Sequence, residues 1–327
     1  MTGTAPDLPD PPILLAAHAD WSSDAAKRWI AIGVQQAGRG WRLLPPRPVG
    51  DVAGLLSRLR AQAAGAPVAV GVDFPIGLPR GFAKGRREAG FMPFLRGLAS
   101  SPEFFRVCAT LAEAGPGRPF YPAHTTAGVT RAAHATALGL DGPAALCRLC
   151  DLATAERPAG APLFWTLGAN QSGKAAIAAW RDLLLPALEQ REAALRFWPF
   201  DGPFRALLEP GVVAIAETYP AEALRHFGLH LRGSKRRQSD RAAIAAPLIA
   251  VMAALDCAPH AALRRLAADG FGDDRAGEDR LDCVVGLLCV INVLAGNRPD
   301  TAPDLPLVRV WEGWVLGQTA LPAGLKP

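Results

Sequence analysis

The sequence has no apolar run long enough to cross a bilayer. Its longest uncharged apolar stretch covers the thirteen residues 283–295, whereas a membrane-spanning helix needs about 20 residues, so this stretch predicts a buried helix. A secretory signal is not visible either, because the first eleven residues contain three prolines, two aspartates and no basic residue. We therefore expect no membrane partner.

The cysteine and serine patterns of several enzyme classes are also missing. Six cysteines are present, and only Cys147 and Cys150 form a CxxC pair. Without a second pair or an HxxxH segment, this pair is not a zinc motif. No Gly-x-Ser-x-Gly elbow occurs, so serine hydrolase chemistry has no support. We expect reduced cysteines and a cytoplasmic protein.

What is present is a chain of 327 residues, half of them hydrophobic, with a net charge of +5. This composition supports a substantial core and excludes global disorder, and the mildly basic balance is compatible with a phosphate-bearing partner. Residues 1–11 have the proline-marked character of a disordered arm. Residues 80–205, rich in proline, glycine, arginine and alanine, predict a mostly helical insertion. We expect residues 1–327 to form a single domain that carries both segments.

Five short apolar runs predict the strands of a sheet, at residues 13–20, 29–34, 41–44, 67–73 and 211–217. The first three follow one another closely, which indicates an antiparallel meander. The last two are almost wholly apolar, as expected of central strands that are covered on both faces. Helical spacing marks residues 52–64, 176–192, 220–227, 241–255, 261–268 and 279–295. The predicted fold class is α/β, with a mixed five-stranded sheet flanked by helices.

Acidic residues end three of these strands and begin the last helix. Asp20, Asp73 and Glu217 follow apolar runs, and Asp279 and Asp282 lie three residues apart, on one face of the helix. Taken singly, each acid also suits a turn or a helix N-cap. Their recurrence at equivalent positions favours a convergent site, and clustered carboxylates need a cation such as Mg²⁺ or Mn²⁺. Two such ions promote phosphodiester hydrolysis.

Several stretches around these acids resemble the ribonuclease H-like fold, and more closely a bacterial family known as domain of unknown function 429, whose members are predicted nucleases. These stretches are ADWS (19–22), KRW (27–29), GVDFPIGLP (71–79), ETYPAE (217–222), DRLDCVVG (279–286) and EGWVLG (312–317). The resemblance implies metal binding by Asp20, Asp73 and Asp282, with Asp279 as a fourth ligand or a supporting group. Glu217 is a further catalytic candidate, either as a ligand or as a residue that orients a loop.

Two basic segments are candidates for contact with substrate phosphates. Lys174 ends a Gly-x4-Gly-Lys sequence that is similar to a P-loop, although Ala175 replaces the Ser or Thr that binds magnesium there. Lys235, Arg236 and Arg237 form the densest basic run. The alternative roles are a loop that caps a helix and a solvated loop, respectively.

Three functions remain open from the sequence. The first is a metal-dependent nuclease that acts on DNA or RNA. The second is a nucleotide-binding phosphotransferase or ATPase of the related actin-like fold, with residues 71–79 and 168–174 as phosphate loops. The third is a nucleic-acid-binding protein without catalysis.

Overall fold

The computed structural model describes residues 12–125, 128–168, 172–190 and 194–324, so the predicted arm lies outside the described residues. Within these ranges, eight strands form one sheet in the order β6-β7-β5-β1-β2-β3-β8, and β4 pairs with β2. The strands are β1 (Pro12–Asp20), β2 (Trp29–Gln36), β3 (Arg39–Leu43), β4 (Arg47–Pro48), β5 (Val68–Val72), β6 (Ala194–Phe197), β7 (Val212–Glu217) and β8 (Cys257–Pro259).

The five predicted strands are confirmed as β1, β2, β3, β5 and β7, but the prediction of a five-stranded sheet is wrong. The first three strands are antiparallel, as expected, while β5 pairs parallel with β1 and β7 parallel with β5. The additional strands β4, β6 and β8 are two to four residues long. Such short segments have no hydrophobic alternation to reveal them, and they become strands only because longer neighbours offer free hydrogen-bonding edges.

Helices cover both faces of the sheet. They are α1 (Leu55–Ala63), α2 (Arg80–Ala83), α3 (Phe91–Gly97), α4 (Arg131–Ala137), α5 (Ser172–Ala179), α6 (Leu185–Gln190), α7 (Pro220–His226), α8 (Gln238–Ala242), α9 (Ala245–Ala254), α10 (Ala261–Ala268) and α11 (Gly277–Leu294). A π-helical turn, Trp180–Leu184, joins α5 to α6. Between α3 and α5 the chain forms mainly short 3-10 turns and loops, in keeping with its many prolines and glycines. No helix in the described ranges has both the length and the apolar character needed to cross a membrane.

Strand alternation divides the buried residues into two cores, one on each face of the sheet. Val70, Val213 and Ile215 belong to the first core, with α1, α3 and α5, whereas Ala69 and Ala214 belong to the second, with α7, α9 and α11. Helix α11 packs across β1, β2 and β5 in the second core. The start of α11 therefore lies near the carboxyl ends of β1 and β5.

Candidate metal centre

The first two carboxylates of the site stand side by side at the ends of parallel strands. Asp20 is the last residue of β1, and Asp73 directly follows β5. Ala19 pairs with Val72 in the sheet register, and the Asp73 backbone amide donates to the Ala19 carbonyl at 3.0 Å. The two carboxyl groups are close enough for the charge of Asp73 to raise the pKa of Asp20. These two acids therefore meet at one edge of the sheet.

Helix α11 brings two more acids to the same edge. Asp279 and Asp282 lie in its first turns, and α11 packs on β1. The close approach requires a residue without a side chain at Gly286, since a Cβ there would lie 2.3 Å from Nε2 of His18. His18 and Asp20 are two residues apart on one strand and project from the same face. The face that α11 covers is therefore also the face that carries Asp20.

Burial and mutual repulsion change the ionisation of the aspartate cluster, which we define as Asp20, Asp73, Asp279 and Asp282. Burial raises the pKa of Asp20 well above its usual range, and the charges of the other three members raise it further. Burial, followed by the charge of Asp282, raises the pKa of Asp73 to about 7. Burial is also the main reason that the pKa of Asp279 is raised to about 6. A cation among these oxygens would stabilise the charged carboxylates.

One cation of the protein itself contacts the aspartate cluster. Nζ of Lys235 lies 2.5 Å from Oδ1 of Asp282. Burial opposes the charge of this ammonium group, but Asp282, together with the charges of Asp73 and Glu278, outweighs burial and raises the pKa of Lys235 above its usual value. The ammonium charge also acts to lower the pKa of Asp20 and of Asp73. Lys235 thus supplies part of the positive charge that the cluster requires.

A buried arginine holds the loop that carries Lys235. Arg241 donates to the carbonyl of Lys235, to that of Gly270 at 2.7 Å and to that of Gly272 at 2.6 Å. The guanidinium lies against the start of α11, where a Cβ on Gly277 would come within 2.2 Å of its Nη2. Arg241 thereby connects the Lys235 loop to the helix that supplies half of the aspartate cluster.

The donor set suits a hard divalent cation, although the side chains are not arranged around one. Within the described ranges, no group of three or more His, Cys, Asp or Glu side chains is placed to hold a metal ion. Oδ2 of Asp279 is buried without a hydrogen-bond partner. Carboxylate oxygens are the ligands that Mg²⁺ and Mn²⁺ prefer, and an ion would satisfy this oxygen. The residues therefore fit such an ion in charge and in donor chemistry.

An open cavity of about 520 Å³ borders the aspartate cluster. Asp73 and Asp282 line it, and so do three lysines, Lys27, Lys174 and Lys235. Carboxylates next to ammonium groups allow an anionic ligand to be held beside a cation-binding centre. The lining also includes the aromatic residues Trp21, Phe74 and Tyr219.

The structure separates the predicted substrate-binding residues into two pairs. Lys174 and Lys235 line the cavity, whereas Arg236 and Arg237 are exposed and lie outside its lining. Lys174 belongs to α5, and residues 169–171 of the glycine-rich segment before it lie outside the described residues. The cavity is therefore contacted by two of the four predicted basic side chains.

Glu217 stands apart from the aspartate cluster because successive residues of a strand point to opposite faces. Val213 and Ile215 of β7 face the first core, and Glu217 continues that alternation. Glu217 borders the cavity, but its carboxylate accepts from both Nη atoms of Arg148, at 2.6 and 2.7 Å, and from the Ile76 amide at 2.8 Å. These contacts connect Glu217 to Arg148 and to the turn after β5.

Sequence reasoning missed the buried arginine that pairs with Glu217. Nε and Nη2 of Arg148 also donate to Asp151, both at 3.0 Å. Arg148 and Cys150 are fully buried, and all six cysteines are free. The only visible pattern at this position is the CxxC pair, and nothing in it distinguishes a buried arginine from an exposed one.

The turn after β5 interlocks with a segment near the end of the described chain. The Leu78 amide donates to the Trp311 carbonyl at 2.7 Å, and a Cβ on Gly77 would lie 2.0 Å from the Glu312 carbonyl oxygen. The Leu316 amide donates to the Glu217 carbonyl at 2.8 Å. Three of the stretches behind the family resemblance, residues 71–79, 217–222 and 312–317, therefore contact one another. All three had been singled out in the sequence, but their contacts had not.

Comparison of the chain with known protein families, with curated proteins and with solved structures gave no match.

Proposed function

We propose that this protein is a divalent-metal-dependent nuclease of the ribonuclease H-like fold, related to the family known as domain of unknown function 429. The observation that carries the proposal is the meeting of Asp20, Asp73, Asp279 and Asp282 at one sheet edge, beside a cavity lined by lysines. The proposed cofactor is Mg²⁺ or Mn²⁺, and the proposed substrate is DNA or RNA.

The arrangement of the sheet supports the proposed fold. Strands β3, β2, β1, β5 and β7 form its contiguous centre. The first and fourth of these strands in chain order are parallel neighbours, so the acids at their ends meet. The last long helix adds the other two acids from the second core. This is the distribution of acids that the ribonuclease H-like resemblance implies.

The residues divide the proposed chemistry between them. Divalent ions held by the aspartate cluster would supply an activated water and would stabilise the leaving oxygen of a phosphodiester. The aspartate cluster fixes such ions by burial and charge, while Lys27 and Lys174 hold the phosphate in the cavity by ion pairing. Trp21 and Phe74 limit the access of water from one side, with their rings in edge-to-face contact at 5.5 Å. Glu217 keeps the turn after Asp73 in place.

Cleavage of nucleic acids by matched variants tests the proposal. The protein is incubated with single-stranded, double-stranded and branched DNA and with RNA, in Mg²⁺ or Mn²⁺. We expect Asp20→Asn and Asp282→Asn each to reduce the cleavage rate by more than about 100-fold, since even the outer partners of metal ligands contribute 10–100-fold. The control is Asp304→Asn, because Asp304 forms a surface ion pair with Arg309 and its side chain is 89% exposed.

Three results would contradict the proposal. One is cleavage that persists in both cluster variants, and another is cleavage that does not depend on the divalent ion. The third is a nucleic acid that binds but survives intact in every metal, which indicates the non-catalytic binding protein instead.

A second candidate is a nucleotide-binding phosphotransferase or ATPase, because both of its predicted phosphate loops border the same cavity. Phe74 and Pro75 line it from the turn after β5, and Ser172 and Lys174 line it from α5. Thermal unfolding with ATP–Mg²⁺ and with an oligonucleotide separates the two candidates. Stabilisation by the nucleotide alone favours the phosphotransferase.

A further inference from the structure

The ion pair between Lys235 and Asp282 lies within the aspartate cluster that the proposed function assigns to a divalent ion. Side-chain exposure is 22% for Lys235 and 14% for Asp282, so the pair is largely withdrawn from water. The Lys235 ammonium and a divalent ion compete for the Asp282 carboxylate, because two positive charges in contact repel each other.

We propose that Lys235 is a built-in counter-ion of the aspartate cluster, which a divalent cation displaces when it binds. The inference rests on the proposed function, since it assumes that the cluster binds such an ion. Without a metal ion, Lys235 neutralises part of the negative charge of the cluster by pairing with Asp282. On metal binding, the ammonium leaves Asp282 and remains at the cavity, which it already lines.

The loop around Lys235 is built for a movement of the side chain rather than of the backbone. The Lys235 carbonyl accepts from the buried Arg241, and the Ser234 amide donates to the Asp240 carboxylate at 2.8 Å. Both contacts fix the main chain, while the four-carbon stem of a lysine swings freely about it. A freed ammonium at the cavity is then available for an anionic group of the substrate, such as a phosphate.

Manganese binding by calorimetry tests the exchange on the full chain without any substrate. Lys235→Met removes the competing charge, and we expect it to bind Mn²⁺ about tenfold more tightly than the unaltered protein, the usual effect of one opposing charge in contact. The control is Arg232→Met, which removes one positive charge from an exposed position of the same loop and leaves the affinity within about twofold of the unaltered protein, because solvent and salt screen an exposed charge.

Acylation of lysines, followed by mass spectrometry, gives a second readout on the unaltered protein. We expect Mn²⁺ to increase the labelling of Lys235 severalfold and to leave that of the exposed Lys84 unchanged. Equal Mn²⁺ affinity with and without Lys235, or labelling of Lys235 that does not rise although Mn²⁺ binds, would overturn the inference alone. If neither the unaltered protein nor Lys235→Met binds Mn²⁺, the metal centre of the proposed function is overturned as well. Binding by Lys235→Met alone supports the exchange.

Discussion

Gly286 sets the distance between α11 and β1, and thereby the distance between the two halves of the aspartate cluster. A Cβ at this position would lie 2.3 to 2.4 Å from three atoms of the His18 ring. His18 is fully buried, and its ring also lies 3.1 Å from the place of a Cβ on Gly71 of β5, so it has little room to move aside. Small side chains at both positions are therefore a condition of the site geometry.

We expect Gly286→Ala to destabilise the protein by about 1–3 kcal/mol through overpacking. Urea denaturation measures the change. The matched experiment repeats the substitution in a His18→Ala background, where the added methyl group has room and costs less than in the unaltered protein. The same cost in both backgrounds would show that His18 is not the obstacle.

Glu222 of α7 illustrates how a single buried carboxylate links stability to pH. Its oxygens lie 2.6 Å from Arg225, 3.2 Å from Arg157 and 3.5 Å from His226. Burial alone raises the pKa of Glu222, but His226 and Arg225 together outweigh burial and lower that pKa to about 2. Because the folded value lies below the ordinary 4.5, the carboxylate stabilises the fold above pH 4.5. This stabilisation is lost as the pH falls from 4.5 towards 2.

Glu222→Gln therefore lowers the free energy of unfolding by about 3 kcal/mol at pH 7, because it leaves buried cations unpaired. The deficit relative to the unaltered protein shrinks as the pH falls below 4.5. Thermal unfolding of both proteins between pH 7 and pH 3 measures it. A deficit that stays constant over this range would contradict the role of Glu222.

At the scale of elements, the loop of residues 232–237 is the part of the site with least structure of its own. It is the second half of the connection between α7 and α8, which has no regular secondary structure, and Arg241 ties it to the segment before α11 by donating to the carbonyls of Lys235, Gly270 and Gly272. Because the guanidinium makes its contacts from a buried position, neither water nor a shorter side chain replaces them.

Arg241→Met should release this loop. We expect faster tryptic cleavage after Lys235, Arg236 and Arg237, measured by mass spectrometry of timed digests under native conditions. Arg264→Met on α10 is the control, since Arg264 is exposed and its replacement leaves the loop in place. Equal cleavage in both variants would show that other contacts hold the loop.

The elements that the sequence predicts well are those with a strong local pattern. β1, β5 and β7 are apolar runs that end near an acid, and α11 is a long apolar helix. By contrast, β4 and β8 have two and three residues, too few for a period of two to be visible. Their pairing depends on neighbours that are remote in the sequence.

At the scale of the whole molecule, one buried ion network joins the segment before α5 to the central sheet. Arg148 lies between Asp151, three residues further on, and Glu217 at the end of β7. Burial raises the pKa of Glu217, and the charge of Arg148 counteracts that rise. Arg148 therefore supplies the positive charge that faces two buried carboxylates.

We expect Arg148→Met to destabilise the protein by about 3–5 kcal/mol, because it leaves these buried carboxylates without their positively charged partner. The triple variant Arg148→Met, Asp151→Leu, Glu217→Leu recovers part of this loss, since no buried charge then remains unpaired. Chemical denaturation of the three proteins measures both values. A loss below about 1 kcal/mol for the single variant, the range of exposed pairs, would contradict the network.

The difference between local sequence patterns and contacts made by tertiary packing also decides how much of the candidate site can be predicted from the sequence. The clustering of Asp20, Asp73, Asp279 and Asp282 could be predicted because the first two end strands and the other two lie near the start of a helix. The sheet fixes the direction of these elements. The sequence did not assign Glu217 to Arg148, since a separation of 69 positions in the sequence leaves no local trace of the contact. Side-chain partners brought together by tertiary packing are visible only in the folded chain.

The interlock between the turn after β5 and residues 311–316 has a consequence for the order of events during synthesis. A ribosome delivers Asp20 and Asp73 early, but the turn that follows Asp73 lacks its Trp311 and Glu312 contacts until the far segment has emerged. A nascent chain therefore contains Asp20 and Asp73 before the contacts that fix the turn after Asp73 can form. The turn after Asp73 therefore reaches its folded contacts only after residues 311–312 have been synthesised.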